Sequence, residues 1–225
     1  MDWTKTLQTA VLGSGKEKPV PTGTAGKFLY CLRYNYLQLL GLNLLFILCC
    51  LPVITIPAAC CGLSAVTTAL VRDKAVSVRH VFFREFKADF LERAVLWGLL
   101  CIAPLSIGFY AQWLGIGKDG TVCRLLLFTV VFLIQRYWYV CMALIDATPW
   151  QNLKNAALLM AVEWQKTGIV LLTAGVLYGV CFLFPLYAFP AMVLCLFSVS
   201  HLFCAAALTP VVLKHLAREA SCSVG

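Results

Sequence analysis

Charge is what this sequence has least of. Acidic and basic residues make up 12% of its 225 positions, about half the share usual in a soluble domain. One core of this size cannot hide the complementary excess of apolar side chains from water. That excludes a disordered chain and argues against a soluble enzyme. No H-E-x-x-H and no glycine-rich phosphate loop is present, so the common metalloprotease and nucleotide frameworks are missing. None of the 12 cysteines stands in a C-x-x-C, which leaves a zinc site or a dithiol redox pair without a local framework. His201-Leu-Phe-Cys204 is a lone H-x-x-C, and His80 and Glu85 lack the aspartate that an acyltransferase spacing needs. No catalytic residue, metal site or cofactor is expected. Residues 1–27 hold no apolar run long enough for a signal peptide. They read instead as a flexible cytosolic tail, glycine- and proline-rich over 13–26.

What the chain has in abundance is apolar length. Hydrophobic residues are 61% of it, and the bilayer is the solvent that suits such a composition. Tyr34 to Val71 is a run of 38 residues without a charge. As one helix it would extend about 57 Å, against a hydrocarbon core of about 30 Å. It must fold back, and Pro52 and Pro57 bracket the place where a helix most easily turns. The expected architecture is an all-α polytopic membrane protein within residues 28–216. Its six spans are expected at about 34–51, 53–71, 94–114, 122–145, 167–188 and 191–213, with 217–225 as a C-terminal tail. Pro104 marks a kink, and Pro185 and Pro190 a tight turn between the last two spans. Span two places Ala58, Gly62, Ala65 and Ala69 at helical spacing, where small side chains admit a close neighbour. Gly175 and Gly179 form a second such packing motif, serving helices of one chain or of two protomers. The cysteines, mostly inside apolar runs, read as small, soft packing residues. The vicinal pairs Cys49-Cys50 and Cys60-Cys61 point in different directions on a helix and do not easily bridge.

The basic residues sort by side. With six spans, 15 of the 18 lysines and arginines fall on the face that carries both termini and the loops 72–93 and 146–166. The positive-inside rule makes that face cytosolic. A five-span chain would expose the six bases of loop 72–93 outside. The net charge of +8 is therefore a topology signal, and nucleic acid is not an expected partner.

Two cytosolic segments are amphipathic. In 77–93 the aromatic side chains Phe82, Phe86 and Phe90 lie along one face, with Arg84 and Lys87 largely elsewhere. This segment reads either as a surface for anionic lipid headgroups or as a docking face for a cytosolic partner. In 149–164, Thr148 is placed to cap a helix that Pro149 begins. Ionisable and polar groups inside a membrane are costly and mark candidate function. Asn43, Arg136 and His201 stand at similar depth in spans one, four and six. They read either as a midplane pocket for an anionic or hydroxylated ligand, or as three separate local solutions. Tyr137, Trp138 and Tyr139 favour the second, since an aromatic belt suits a membrane interface. Glu163 is expected as a solvated interfacial acid, within reach of Lys166 or Arg136.

Asn43-Leu-Leu-Phe, Leu51-Pro-Val-Ile-Thr55-Ile, Ala58 and Thr68-Ala-Leu resemble the first hairpin of the DUF624 (YesL-like) membrane proteins. Phe82-Phe-Arg-Glu-Phe86-Lys-Ala-Asp-Phe90 is similar to that family's aromatic, basic interfacial segment. Asp146-Ala-Thr-Pro and Leu153-Lys-Asn155-Ala-Ala-Leu-Leu are similar to its second one. The resemblance runs over about residues 28–215. Pro57 departs from it, standing where glycine is expected. It implies a bacterial cytoplasmic-membrane protein without an established activity, encoded near carbohydrate ABC transporters and glycoside hydrolases. A carbohydrate transporter subunit is thus an implied partner beside the lipid bilayer. No catalytic residue follows from the resemblance.

Overall fold

The computed structural model describes residues 23–72, 77–113, 120–183 and 195–222. The tail up to residue 22 and the turn at Pro185 and Pro190 lie outside them. Nine helices are present among the described residues: α1 (Thr24–Tyr34), α2 (Tyr36–Cys49), α3 (Ile56–Val71), α4 (Val78–Lys87), α5 (Phe90–Trp113), α6 (Gly120–Leu144), α7 (Pro149–Val162), α8 (Trp164–Leu183) and α9 (Phe197–Cys222). Their order repeats one theme three times: a short helix, a break, then two longer helices. The breaks are sharp. α1 meets α2 at 85°, and α7 meets α8 at 97°.

Three stretches are long and apolar enough to cross a membrane: Val53–Val71, Leu125–Leu144 and Phe197–Leu216. The number rises to five if each bent pair counts as one span. Large side chains such as Leu48, Leu99, Leu126 and Leu172 are exposed along the helices, as lipid-facing surfaces are in a bundle whose solvent is hydrocarbon.

The hairpin between α2 and α3 forms where the prolines indicate. Thr55 Oγ1 donates to the carbonyls of Cys49 and Pro52, which gives orphaned carbonyls at the end of α2 a partner. Pro57 falls in the first turn of α3, where an N–H would be unpaired anyway. The departure from glycine at this position is thus accommodated without cost to the helix.

α3 is the central element. Thirteen of its sixteen residues are buried, and it packs against α1, α2, α4, α5, α6 and α9. Its small side chains allow this crowding. A Cβ built on Gly62 would stand 2.9 Å from Phe82 Cδ2 and 3.0 Å from the Phe82 carbonyl oxygen, so α4 lies directly on that glycine. Two apolar cores flank the axis formed by α3 and α9. One joins α6 and α7 to them, and the other joins α1, α2 and α4.

Four sequence expectations change in detail. The segment 77–93 is not one helix: it breaks after Lys87, and Asp89 adopts a left-handed backbone with φ of 45°. Aspartate tolerates that conformation better than most residues, and the turn re-aims the chain into α5. Thr24–Lys27, read as tail, are the first turn of α1, which Phe28 and Cys31 anchor through Phe203 and the Leu70 carbonyl. α9 continues to Cys222, into the segment read as a C-terminal tail. Tyr137, Trp138 and Tyr139 do not form a lipid-facing belt, being at most 4% exposed. Each has a partner inside the bundle for its polar end. Trp138 Nε1 donates to the Pro149 carbonyl at 3.0 Å, and Tyr137 Oη pairs with Thr167 Oγ1 at 2.9 Å.

Candidate functional site

Arg136 is the most unusual residue of the interior. It sits on α6 and is 8% exposed. Among the described residues no carboxylate forms an ion pair with it. A buried cation needs compensation, and here it comes from neutral groups. Arg136 Nη2 donates to Tyr178 Oη at 2.9 Å, and the guanidinium carbon stands 4.7 Å from the centre of the Phe132 ring. Tyr178 Oη in turn donates to Ser200 Oγ at 3.3 Å. One chain of polar contacts therefore runs from α6 through α8 to α9. Nη1, on the other arm of the guanidinium, is buried and has no hydrogen-bond partner among the described residues.

His201 belongs to the same neighbourhood. Buried on α9, it lies 5.9 Å from the Tyr139 ring and within the field of Arg136. Cys60 and Cys204 are also electrostatic neighbours of Arg136, and Cys60 pairs with Tyr139. Asn43 is fully buried on α2 and engaged with α9: its Oδ1 accepts from Ser198 N at 3.0 Å and from Ser198 Oγ at 3.3 Å. Ser198 precedes His201 by about one turn. The structure thus brings Arg136 and His201 to one cluster and ties Asn43 to the helix that carries His201.

The second candidate group divides between inside and outside. Phe82 is fully buried on Gly62, and Phe86 stacks on it at 6.1 Å between ring centres. Phe90 belongs to α5 and stays beside Phe86 at 6.1 Å. These rings seat α4 on the bundle rather than forming an exposed apolar face. Arg79, Arg84 and Lys87 are exposed, so the outward surface of α4 is basic. Arg84 is 63% exposed and pairs with Glu85 at 3.0 Å.

Arg93 was counted in the sequence only as a topology charge. The structure buries it to 2% exposure and sets Nη2 3.7 Å from Glu85 and 3.8 Å from Asp89. It clamps the turn between α4 and α5, and Nη1 also donates to the Glu85 carbonyl. The positions 85, 89 and 93, four residues apart, were the available signal. Glu163 closes the break between α7 and α8, with Oε1 3.4 Å from His215 Nε2. α7 is capped as expected: Thr148 Oγ1 accepts from Gln151 N, and the Gln151 side chain accepts from Thr148 N. Cys31, Cys49, Cys50, Cys60, Cys61, Cys101, Cys141, Cys195 and Cys204 are free thiols.

No curated protein and no solved structure matches the chain. Residues 39–109 match a family model described as Protein of unknown function, DUF624. That stretch carries most of α2, all of α3 and α4, the Gly62–Phe82 contact and the Arg93 clamp. These are the hairpin and the aromatic, basic segment on which most of the sequence resemblance rested, and over residues 39–109 the chain is similar to the DUF624 family.

Proposed function

We propose that this protein is a non-enzymatic accessory or regulatory component of a bacterial carbohydrate (ABC-type) transport system. In this reading it crosses the cytoplasmic membrane six times, with both termini and the α4 and α7 helices on the cytosolic side. The carbohydrate association rests on the family resemblance. The observation that supports a contact surface is the division of α4. Its aromatic face is committed to α3, while Arg79, Arg84 and Lys87 remain outside. A short basic helix held rigidly at a membrane surface suits an acidic patch on a cytosolic subunit, because steering by charge needs a fixed array.

A photo-crosslinker at Lys87 in the intact membrane tests this. A transporter subunit trapped there supports the reading; adducts with lipid alone overturn it. A C-terminal reporter that reads as extracellular would overturn the six-span arrangement.

A second reading has its own observation. The unpartnered Nη1 of Arg136, beside Tyr178, Ser200 and His201, suits a small transporter or binding protein for an anionic or hydroxylated ligand. Arg136→Ala and His201→Ala would then abolish uptake without lowering the amount of protein in the membrane. Unchanged uptake in both variants removes this reading.

A further inference from the structure

Where α3 ends against α4, the bundle opens into a cleft of about 390 Å³. Thr68 and Arg72 from the end of α3, and Ser77, His80, Arg84 and Glu85 from α4, supply its polar lining. Three features of this lining converge on one ligand chemistry.

The first is an unused hydroxyl. Thr68 is 2% exposed, and its Oγ1 has no hydrogen-bond partner among the described residues. The adjacent Thr67 satisfies its own hydroxyl on the Leu63 carbonyl, one turn back, at 3.0 Å. Thr68 does not use that exit, and a buried hydroxyl without a partner costs free energy.

The second is the start of α4. Ser77 occupies the cap position without a side-chain hydrogen bond, and no acidic residue stands in the first turn. The first helical bond is Val81 N to the Ser77 carbonyl, so the amides of Val78, Arg79 and His80 precede it. Such an end favours an anion through both its free amides and its dipole.

The third is the balance of charge. Glu85 is the one acid of the lining among the described residues. Arg84 holds its Oε1 at 3.0 Å, while buried Arg93 stands 3.7 Å from Oε2. Arg93 also stands 3.8 Å from Asp89, so the two arginines balance the two acids, and Arg72 adds a further cation. Arg72 is also the first charged residue after the 38-residue apolar run, where a span gives way to the headgroup layer in the six-span reading.

We propose that this cleft binds a phosphate group, held by Arg72, Arg84 and the N-terminal amides of α4, with the Thr68 hydroxyl as an additional donor. Guanidinium groups and oriented amides match the several acceptor oxygens of phosphate. The volume leaves room for the polar body that carries it. A phospholipid headgroup and a free phosphate are two sources of the same group. The site shares Arg84 with the contact surface of the partner reading, but Lys87 lies outside the cleft lining and so tells the two apart.

The test uses the full-length chain in neutral detergent. Radiolabelled inorganic phosphate is titrated by equilibrium dialysis. In parallel, phosphatidylglycerol in mixed micelles with phosphatidylcholine is titrated and retained lipid phosphorus is counted. One of the two probes is expected to saturate at one per chain. Saturation by inorganic phosphate identifies a free phosphate; saturation by the lipid alone identifies a headgroup. Arg72→Gln should weaken that binding about tenfold or more, as loss of a charge-assisted hydrogen bond does. Thr68→Val, which removes the hydroxyl at nearly constant shape, should weaken it severalfold, and Lys87→Gln should leave it unchanged. Thermal melting of each variant reports folding, and Thr68→Val carries the test if Arg72→Gln fails to fold. Absence of saturable binding of both probes, or equal binding in the wild type and Thr68→Val, overturns the proposal. Phosphate binding with no crosslink from Lys87 would remove the docking reading and keep the site.

Discussion

A methyl group at Gly62 should loosen the seating of α4 on this bundle. The Cβ of Gly62→Ala would stand 2.9 Å from Phe82 Cδ2, 3.1 Å from Cε2 and 3.0 Å from the Phe82 carbonyl oxygen. Carbon atoms in comfortable contact are about 3.5–4.0 Å apart, so something must retreat by roughly half an ångström or more. The ring has little room, being fully buried with Phe86 stacked on it and Phe83 edge-on at 5.6 Å. The carbonyl is part of the α4 backbone and moves only with the helix. Overpacking of this kind costs about 1–3 kcal/mol. Replacing glycine by alanine inside a helix returns about 1 kcal/mol. The balance is a net loss of up to about 2 kcal/mol for alanine, and more for valine, whose branches add contacts.

Unfolding in mixed detergent micelles, followed by helical circular dichroism, measures this difference. Gly98, Gly175 and Gly179 provide internal controls, because a Cβ at each meets nothing within 4 Å. Alanine at those positions should stabilise by up to about 1 kcal/mol. A double-mutant cycle adds a second check. Phe82→Ala alone should cost about 3–5 kcal/mol. In that background the Gly62→Ala penalty should shrink, since the ring is gone, without vanishing, since the carbonyl oxygen remains. Stabilisation by Gly62→Ala equal to that of the controls, together with strict additivity in the cycle, would refute the close seating of α4 on α3.

Tyr178→Phe removes the acceptor for Arg136 Nη2 and the donor to Ser200. It should lower stability by about 1–3 kcal/mol in the same unfolding assay, and by much less in an Arg136→Met background. Thr148→Ala breaks the capping box at the start of α7 and should cost about 1 kcal/mol; a Thr148→Ser control should retain most of that stability.

How far the fold was legible depends on whether a residue's partner lies near it in sequence. The turn at Pro52 and Pro57 follows from run length and proline chemistry, and the Thr148–Gln151 cap from a spacing of three residues. The small-residue face of α3 was also readable, but not that Phe82 would occupy it. Local readings failed where the partner came from elsewhere in the fold. Tyr137, Trp138 and Tyr139 look like interface aromatics until the Pro149 carbonyl and Thr167 are brought to the first two. Arg93 looks like an orientation signal until the left-handed turn at Asp89 folds α4 back over it. Thr24–Lys27 resemble tail by composition, and only packing against α3 and α9 makes them helix. Among the candidate polar residues, sequence depth grouped three. It could not foretell that Ser198 would engage Asn43, or that Tyr178 and Ser200 would join Arg136.

The polar interior can be divided by a question that membrane packing makes sharp. Apolar surface drives association only weakly where lipid is as apolar as the neighbouring helix, so close packing and polar ties carry much of the specificity. Most buried polar groups here serve as such ties. Asn43–Ser198 joins α2 to α9, Tyr137–Thr167 joins α6 to α8, and Trp138–Pro149 joins α6 to α7. A tie of this kind has spent its capacity on the fold. Arg136 and Thr68 keep a buried polar atom without a partner among the described residues, Nη1 of one and Oγ1 of the other, as do Arg93, Asn152 and Thr209; of these, Thr68 lines the cleft beside α4 and Arg136 stands beside His201. If Arg136 served packing alone, methionine would fill much the same volume without a buried cation. Such exchanges of buried charge for apolar side chains are often neutral or stabilising. The same logic applies to valine at Thr68. Arg136→Met and Thr68→Val should therefore leave stability unchanged or raised while ligand-dependent behaviour is lost. A structural tie would show the reverse, losing stability first.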